Sequence, residues 1–144
     1  MHRRDFIKGS CGICIALSTG LVMSAILESC ASALSIVKAK QDNNLVRIPA
    51  ADFDHNPFKL LRVDNYDYDI AIQKEKDGTY TALLLMCTHA NQPLTRAGDN
   101  YYCTNHGSQF DHSGNVTKGP AEKHLVKLHT LVKDNELFIH LITI

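Results

Sequence analysis

Two short segments of this sequence hold the side chains best suited to chemistry. Cys87-Thr88-His89 comes first. Cys103-Thr104-Asn105-His106-Gly107-Ser108 follows, after a connection from Ala90 to Tyr102. Each segment supplies one thiol and one imidazole a few residues apart. A thiolate is a soft anionic donor and an imidazole a neutral one, so the four together suit a transition metal or an iron–sulfur cluster. A single zinc ion accepts two Cys and two His in a tetrahedron, but its usual spacing pairs Cys with Cys and His with His. Here each segment mixes the two types. The mixture suits a diiron cluster with unlike irons, thiolates on one and imidazoles on the other.

The two segments resemble the cluster-binding loops of Rieske [2Fe–2S] proteins. Pro93 and Leu94 extend the likeness in the first loop, and Gly119-Pro120-Ala121 resembles the family's third, proline-bearing loop. The likeness runs from about Tyr80 to the C-terminal end of the sequence. It implies one [2Fe–2S] cluster bound by Cys87, His89, Cys103 and His106, with Ser108 where high-potential members bond a bridging sulfide. Three departures carry information. Many quinol-oxidising members have a further Cys in each loop, and the two form a disulfide; Gln92 and Asn105 stand at those positions. The resemblance therefore implies loops closed by hydrogen bonds and packing. Asn91 stands where Gly is common, and Asn tolerates left-handed backbone. Phe110 stands where high-potential members have a Tyr that bonds a thiolate. Hydrogen bonds to the sulfurs help set the potential, so the expected potential lies inside the Rieske span of about −150 to +300 mV but below its top.

Short strands must position these loops. Leu45 to Ile48 reads as a strand ended by Pro49, and Asp52 to Pro57 as a turn. Phe58 to Val63 and Asp69 to Gln73 read as strands separated by the polar, tyrosine-bearing segment Asp64 to Asp67. Asp77-Gly78 signals a hairpin leading into the apolar strand Thr79 to Met86, which feeds into Cys87. Tyr101-Tyr102 leads into Cys103 in the same way, with one ring expected under the cluster and the other pointing out. Gln109 to Asp111 and Asn115 to Thr117 flank a Ser113-Gly114 turn. Leu125 to Lys133 and Glu136 to Ile144 form a terminal hairpin, whose last strand is apolar on both faces and is expected to be buried. The expectation is an all-β domain over residues 45–144, of antiparallel sheets in the Rieske manner. A base would carry a small cluster-binding lobe from about residue 86 to 118. Residues 34–44 read as a tether. His55, His112, His124, His129 and His140 show no ligand spacing and read as structural, as Arg96 and Asp99 read as surface charges.

The start of the sequence is of another kind. Arg3-Arg4-Asp5-Phe6-Ile7-Lys8 resembles the twin-arginine (Tat) export motif, and an apolar run from Gly9 to Leu27 follows. A charged start before an apolar segment marks targeting, so residues 1–33 read as a Tat-type signal peptide with a signal helix ahead of the all-β domain. Leu27-Glu28-Ser29-Cys30 resembles a lipoprotein cleavage box despite Glu28, and Ala31-Ser32-Ala33 offers an ordinary processing site. A leftover Cys30 would be an unpaired thiol in an oxidising compartment, and lipidation removes that problem. The Tat route exports folded proteins, which fits a cluster assembled in the cytoplasm.

Charge and composition exclude several classes. Fifteen basic residues balance fifteen acidic ones. No basic run occurs beyond the signal, so nothing points to nucleic acid. No nucleophile–base pair or phosphate loop is present. The expected work is one-electron transfer from a quinol system or periplasmic oxidoreductase to a cytochrome, on the outer face of the cytoplasmic membrane. A Rieske ferredoxin serving an oxygenase and a structural zinc module are the alternatives.

Overall fold

The computed structural model describes residues 34–144. The expected signal peptide and Cys30 lie outside the described residues. Eleven strands follow in chain order: β1 (Ile36–Ala39), β2 (Leu45–Pro49), β3 (Phe58–Val63), β4 (Ile70–Lys74), β5 (Tyr80–Leu84), β6 (Thr95–Ala97), β7 (Asn100–Tyr102), β8 (Gln109–Phe110), β9 (Val116–Lys118), β10 (Lys127–Lys133) and β11 (Glu136–His140). One 3₁₀ turn, Ala50–Phe53, follows β2. Among the described residues no helix is long and apolar enough to cross a membrane.

A seven-stranded sheet in the order β1-β3-β4-β5-β10-β11-β2 forms the base. Its end strands are consecutive in the chain. A flat sheet of this width would hold them about 29 Å apart, whereas the chain from Ala39 to Leu45 reaches about 21 Å at most. The sheet must therefore curl. A turn with Asn43 and Asn44 at φ 50° and 62° closes the link, and Asp42 and Leu45 exchange backbone hydrogen bonds of 2.9 Å. All neighbours pair antiparallel except β1, which runs parallel to β3. The stretch expected as a tether thus contributes a strand, Ile36–Ala39. Its half-exposed side chains gave no apolar alternation to read.

The near-continuous apolar runs of β3, β4 and β5 have a simple cause. Successive strand residues face opposite ways, and these strands have a core on each side. Leu61, Val63, Ile70, Ile72, Ala82 and Leu84 face the main core with Val46, Ile48, Leu137 and Ile139. Phe58, Leu60, Ala71, Leu83 and Leu85 face a second core with Leu94, Tyr101, Phe110 and Leu125. The second core joins the base to a smaller sheet, β6-β7-β8-β9. Strand β6 had no reading in the sequence, being three residues long with Thr95 and Ala97 exposed. The terminal strand is buried only in part. Leu137, Ile139 and Leu141 are inside, but β11 ends at His140 and leaves Ile142 and Ile144 exposed.

Candidate metal centre

Strand β5 runs through Leu85 and Met86 into the first Cys/His loop, and β6 receives the chain on the far side. A Met86–Pro93 bridge closes the neck, and the Leu94 N–H donates to the Leu85 carbonyl at 3.0 Å. The second loop instead joins β7 to β8 within the small sheet. Both loops share one backbone frame. In the first, the Cys87 N–H donates to the Gln92 carbonyl at 2.7 Å, and the Asn91 N–H to the Cys87 carbonyl at 2.9 Å. In the second, the Cys103 N–H donates to the Ser108 carbonyl and the Gly107 N–H to the Cys103 carbonyl, both at 2.9 Å. Each loop is a helical turn that is not continued. Its fifth residue reverses the chain at positive φ, Asn91 at 51° and Gly107 at 78°. The expected tolerance of Asn at the first position is what the backbone uses.

This frame sorts the donors. Cys87 and Cys103 are fully buried, 0% and 2% exposed, among the apolar side chains of the second core. His89 and His106 are exposed, with ring centroids 4.9 Å apart and planes at 86°. Burial pushes the Cys103 thiol up, but the N–H groups of His106 and Asn105 and the neighbouring Cys87 thiol outweigh it and hold Cys103 below its usual value. Ser108 is also fully buried. Its hydroxyl oxygen accepts the Ala121 N–H at 3.0 Å, which ties the third loop to the second. Its own proton meets no protein acceptor among the described residues and is free to donate to a group in the site.

The residues fit a [2Fe–2S] cluster on these grounds. Two neighbouring buried thiols, two facing exposed imidazoles and a buried spare hydroxyl donor suit a diiron unit with unlike ends. Among the described residues no three His, Cys, Asp or Glu side chains are grouped as for a single ion. Phe110 is fully buried and adds no hydroxyl beside the thiols.

Other expectations resolve as follows. Tyr101 is the buried member of its pair, and Tyr102 is half-buried. Burial pushes the Tyr101 phenol up to about 12. Arg96 is more than a surface charge. It pairs with Asp99 at 2.9 Å, lies 3.8 Å over the Phe58 ring, and keeps a buried Nε without a partner. His112 lines a cavity of about 410 Å³ with Arg96 and Tyr101. His124 Nδ1 accepts the Val116 N–H at 3.3 Å. His129 and His140 are cross-strand partners, both exposed, with rings 5.3 Å apart. None of these joins the Cys/His loops. Two contacts went unread in the sequence: the Tyr68 hydroxyl donates to the Asn91 carbonyl at 2.7 Å, and Thr88 Oγ1 to the Lys123 carbonyl at 2.6 Å. Tyr68 is one of two aromatics, with Tyr66, in a polar stretch, and that is the local signal it gives.

A curled β-base and a small sheet that together present two Cys/His loops define an iron–sulfur electron-transfer module. The family model for the Rieske [2Fe-2S] domain matches residues 44–131. The chain belongs to this Rieske family, whose cofactor is one [2Fe–2S] cluster. It is 40% identical over 57 residues to the mitochondrial cytochrome b-c1 complex subunit Rieske of Bos taurus, covering 38% of this chain and 21% of that protein. It is 35% identical over 71 residues to subunit Rieske-1 of Nicotiana tabacum, covering 46% of this chain and 28% of that one. The chain thus spans about a fifth to just over a quarter of these relatives. Among solved structures, the plasma membrane Rieske protein PetC3 of Synechocystis PCC 6803 is similar at 23% identity and a TM-score of 0.49. That match covers 62% of this chain and 91% of that one.

Proposed function

We propose that this chain is an exported one-electron carrier. In this reading Cys87 and Cys103 would hold one iron, His89 and His106 would hold the other, and Ser108 would donate a hydrogen bond to the cluster. The observation that carries it is the sorting of donors: both thiols inside, both imidazoles at the surface. The bound cluster supplies the redox change itself. The chain's residues do the rest. The second core keeps water from the thiols. The exposed imidazoles give a partner its shortest approach, and each keeps a second ring nitrogen that can hold or release a proton in step with the electron. Gly107 and Asn91 hold the turns that aim these rings.

The donor would be a quinol system or a periplasmic oxidoreductase and the acceptor a cytochrome. The names of the relatives, subunits of a cytochrome b-c1 complex, support a cytochrome as partner; the twin-arginine motif supports export, and Leu27-Glu28-Ser29-Cys30 supports Cys30 as a lipid anchor. Loops closed by hydrogen bonds rather than a cross-link are the feature that favours the ferredoxin reading. The test is anaerobic purification of the full chain. Two irons and two sulfides per chain, with a Rieske-type EPR signal on reduction, are expected. A colourless protein with one zinc would overturn the proposal. Export is tested by cell fractionation of Arg3→Lys/Arg4→Lys, which should stay in the cytoplasm.

A further inference from the structure

The segment between β3 and β4 has no part in the function described so far, yet both of its tyrosines are engaged. Tyr66 and Tyr68 pack their rings against the main core. The Tyr66 hydroxyl donates to the Ile142 carbonyl at 3.1 Å. The Tyr68 hydroxyl donates to the Asn91 carbonyl at 2.7 Å, which lies in the first Cys/His loop. The position of that acceptor matters. Asn91 is the residue at positive φ, and its N–H already closes the loop onto Cys87. Its carbonyl points out of the loop's own hydrogen bonds, and Tyr68 takes it. Asn91 is therefore held at both its N–H and its carbonyl, the latter by a ring anchored in the base.

The first loop needs such a hold more than the second. It joins two sheets and its tip, His89-Ala90-Asn91, is exposed, and Gln92 turns its own side chain back onto the Ala90 carbonyl at 3.2 Å. Thr88 makes the other outside contact, to the Lys123 carbonyl. The second loop sits inside one sheet, with the buried Ser108 at its end.

We infer that Tyr68 is a positioning residue for His89: its hydroxyl bond to the Asn91 carbonyl fastens the first Cys/His loop to the base and fixes the imidazole's orientation toward the cluster. This rests on the cluster assignment above. A hydroxyl–carbonyl bond of ordinary strength is worth a roughly fivefold change in an equilibrium or rate.

The test compares Tyr68→Phe with Tyr66→Phe in the loaded full chain. Each variant removes one hydroxyl-to-carbonyl bond from the same segment and keeps the ring in the core. For Tyr68→Phe, cluster bleaching under a chelator should speed up about fivefold. Amide exchange in residues 87–94 should rise, and the imidazole nitrogen couplings in pulsed EPR of the reduced state should change. Tyr66→Phe should leave all three as in the parent. Equal behaviour of the two variants, or unchanged nitrogen couplings in Tyr68→Phe, overturns the inference. Should Tyr68→Phe fold poorly, Asn91→Pro is not a substitute, because it breaks the loop itself; 4-aminophenylalanine at position 68 keeps the ring and a donor at the same reach and should recover the parent's couplings if the bond is what matters. A parent chain without a [2Fe–2S] cluster would instead defeat the underlying assignment, a separate and recognisable outcome.

Discussion

The two Cys/His loops are built on one backbone plan and secured in different ways. Both run six residues from a buried Cys, close the same pair of backbone bonds, and turn at positive φ on the fifth residue. The His is third in one loop and fourth in the other. That offset brings two imidazoles edge to face rather than repeating one geometry. The first loop joins two sheets and is tied by side chains from elsewhere, Tyr68 and its own Thr88 reaching Lys123. The second lies within one small sheet and is tied at its end, by the buried Ser108 receiving Ala121. A frame of backbone hydrogen bonds thus fixes where donors go, while the fastening of that frame is free to differ.

The largest effects should come from the donors, where the loops should behave alike. Replacing either imidazole, His89→Ala or His106→Ala, should abolish the cluster. Loss of visible absorbance and of the reduced EPR signal checks this, and full retention in one variant would break the equivalence of the loops. The next effect should separate them. Ser108→Ala removes a fully buried hydroxyl at the end of the second loop, whereas Gln92→Ala removes a half-buried side chain bonded within the first. A hydrogen bond to a charged group is worth roughly 1.5–3 kcal/mol, which for one electron is about 65 to 130 mV. Ser108→Ala should therefore lower the midpoint potential by several tens of mV or more, and Gln92→Ala should barely move it, both read by redox titration.

The reversing residues allow a finer comparison. A Cβ on Gly107 would meet nothing within 4 Å, so Gly107→Ala is penalised by its left-handed backbone alone, about 1 kcal/mol. Asn91→Gly should lie within about 0.5 kcal/mol of the parent, since Asn already tolerates this region. Thermal melts of the loaded protein measure both. Equal losses at the two positions would mean that packing, not backbone, sets the cost.

Much of this was legible in the sequence because it is local. The mixed C-x-H and C-x-x-H spacings, Ser108, and the strands β3, β4 and β5 all declare themselves within a few residues. Turn residues marked their turns as well, Gly78 and Gly114 among them. What stayed hidden depends on partners far along the chain. Strand β1 is held by β3 through backbone pairing that its own residues do not announce. Tyr68 meets Asn91 only because the curled base brings its β3–β4 link beside the loop. The apolar end of the chain read as one buried strand because Ile142 and Ile144 continue its composition, although the sheet ends before them. Composition reports what could be buried; topology decides whether a neighbour is there to bury it.

The smallest predicted effect tests whether the second loop owes its order to its stem. Beyond Ser108, β8 and β9 are joined by a turn that Asp111 organises. Its carboxylate accepts the N–H groups of Ser113 at 2.9 Å and Asn115 at 2.8 Å, and the Asn115 side-chain amide at 2.9 Å. Gly114, at φ 84°, lets this turn lie against Leu83 and Leu125, where a Cβ would come within 3.0 Å of Leu83. Partial burial pushes Asp111 up, but these donors and the nearby His112 outweigh it and hold the carboxyl below its ordinary 3.8. The acid is thus bound more tightly as the anion in the folded state. Its contribution is fully present above the unfolded value near 3.8 and is lost as pH falls through the lower folded value. Asp111→Asn should remove about 1 kcal/mol at neutral pH, and the gap to the parent should close in acid. Amide exchange should rise in residues 109–118 and not in residues 87–92. A loss shared by both loops would mean that the turn supports the whole lobe, and the two loops would then have to be regarded as one mechanical unit.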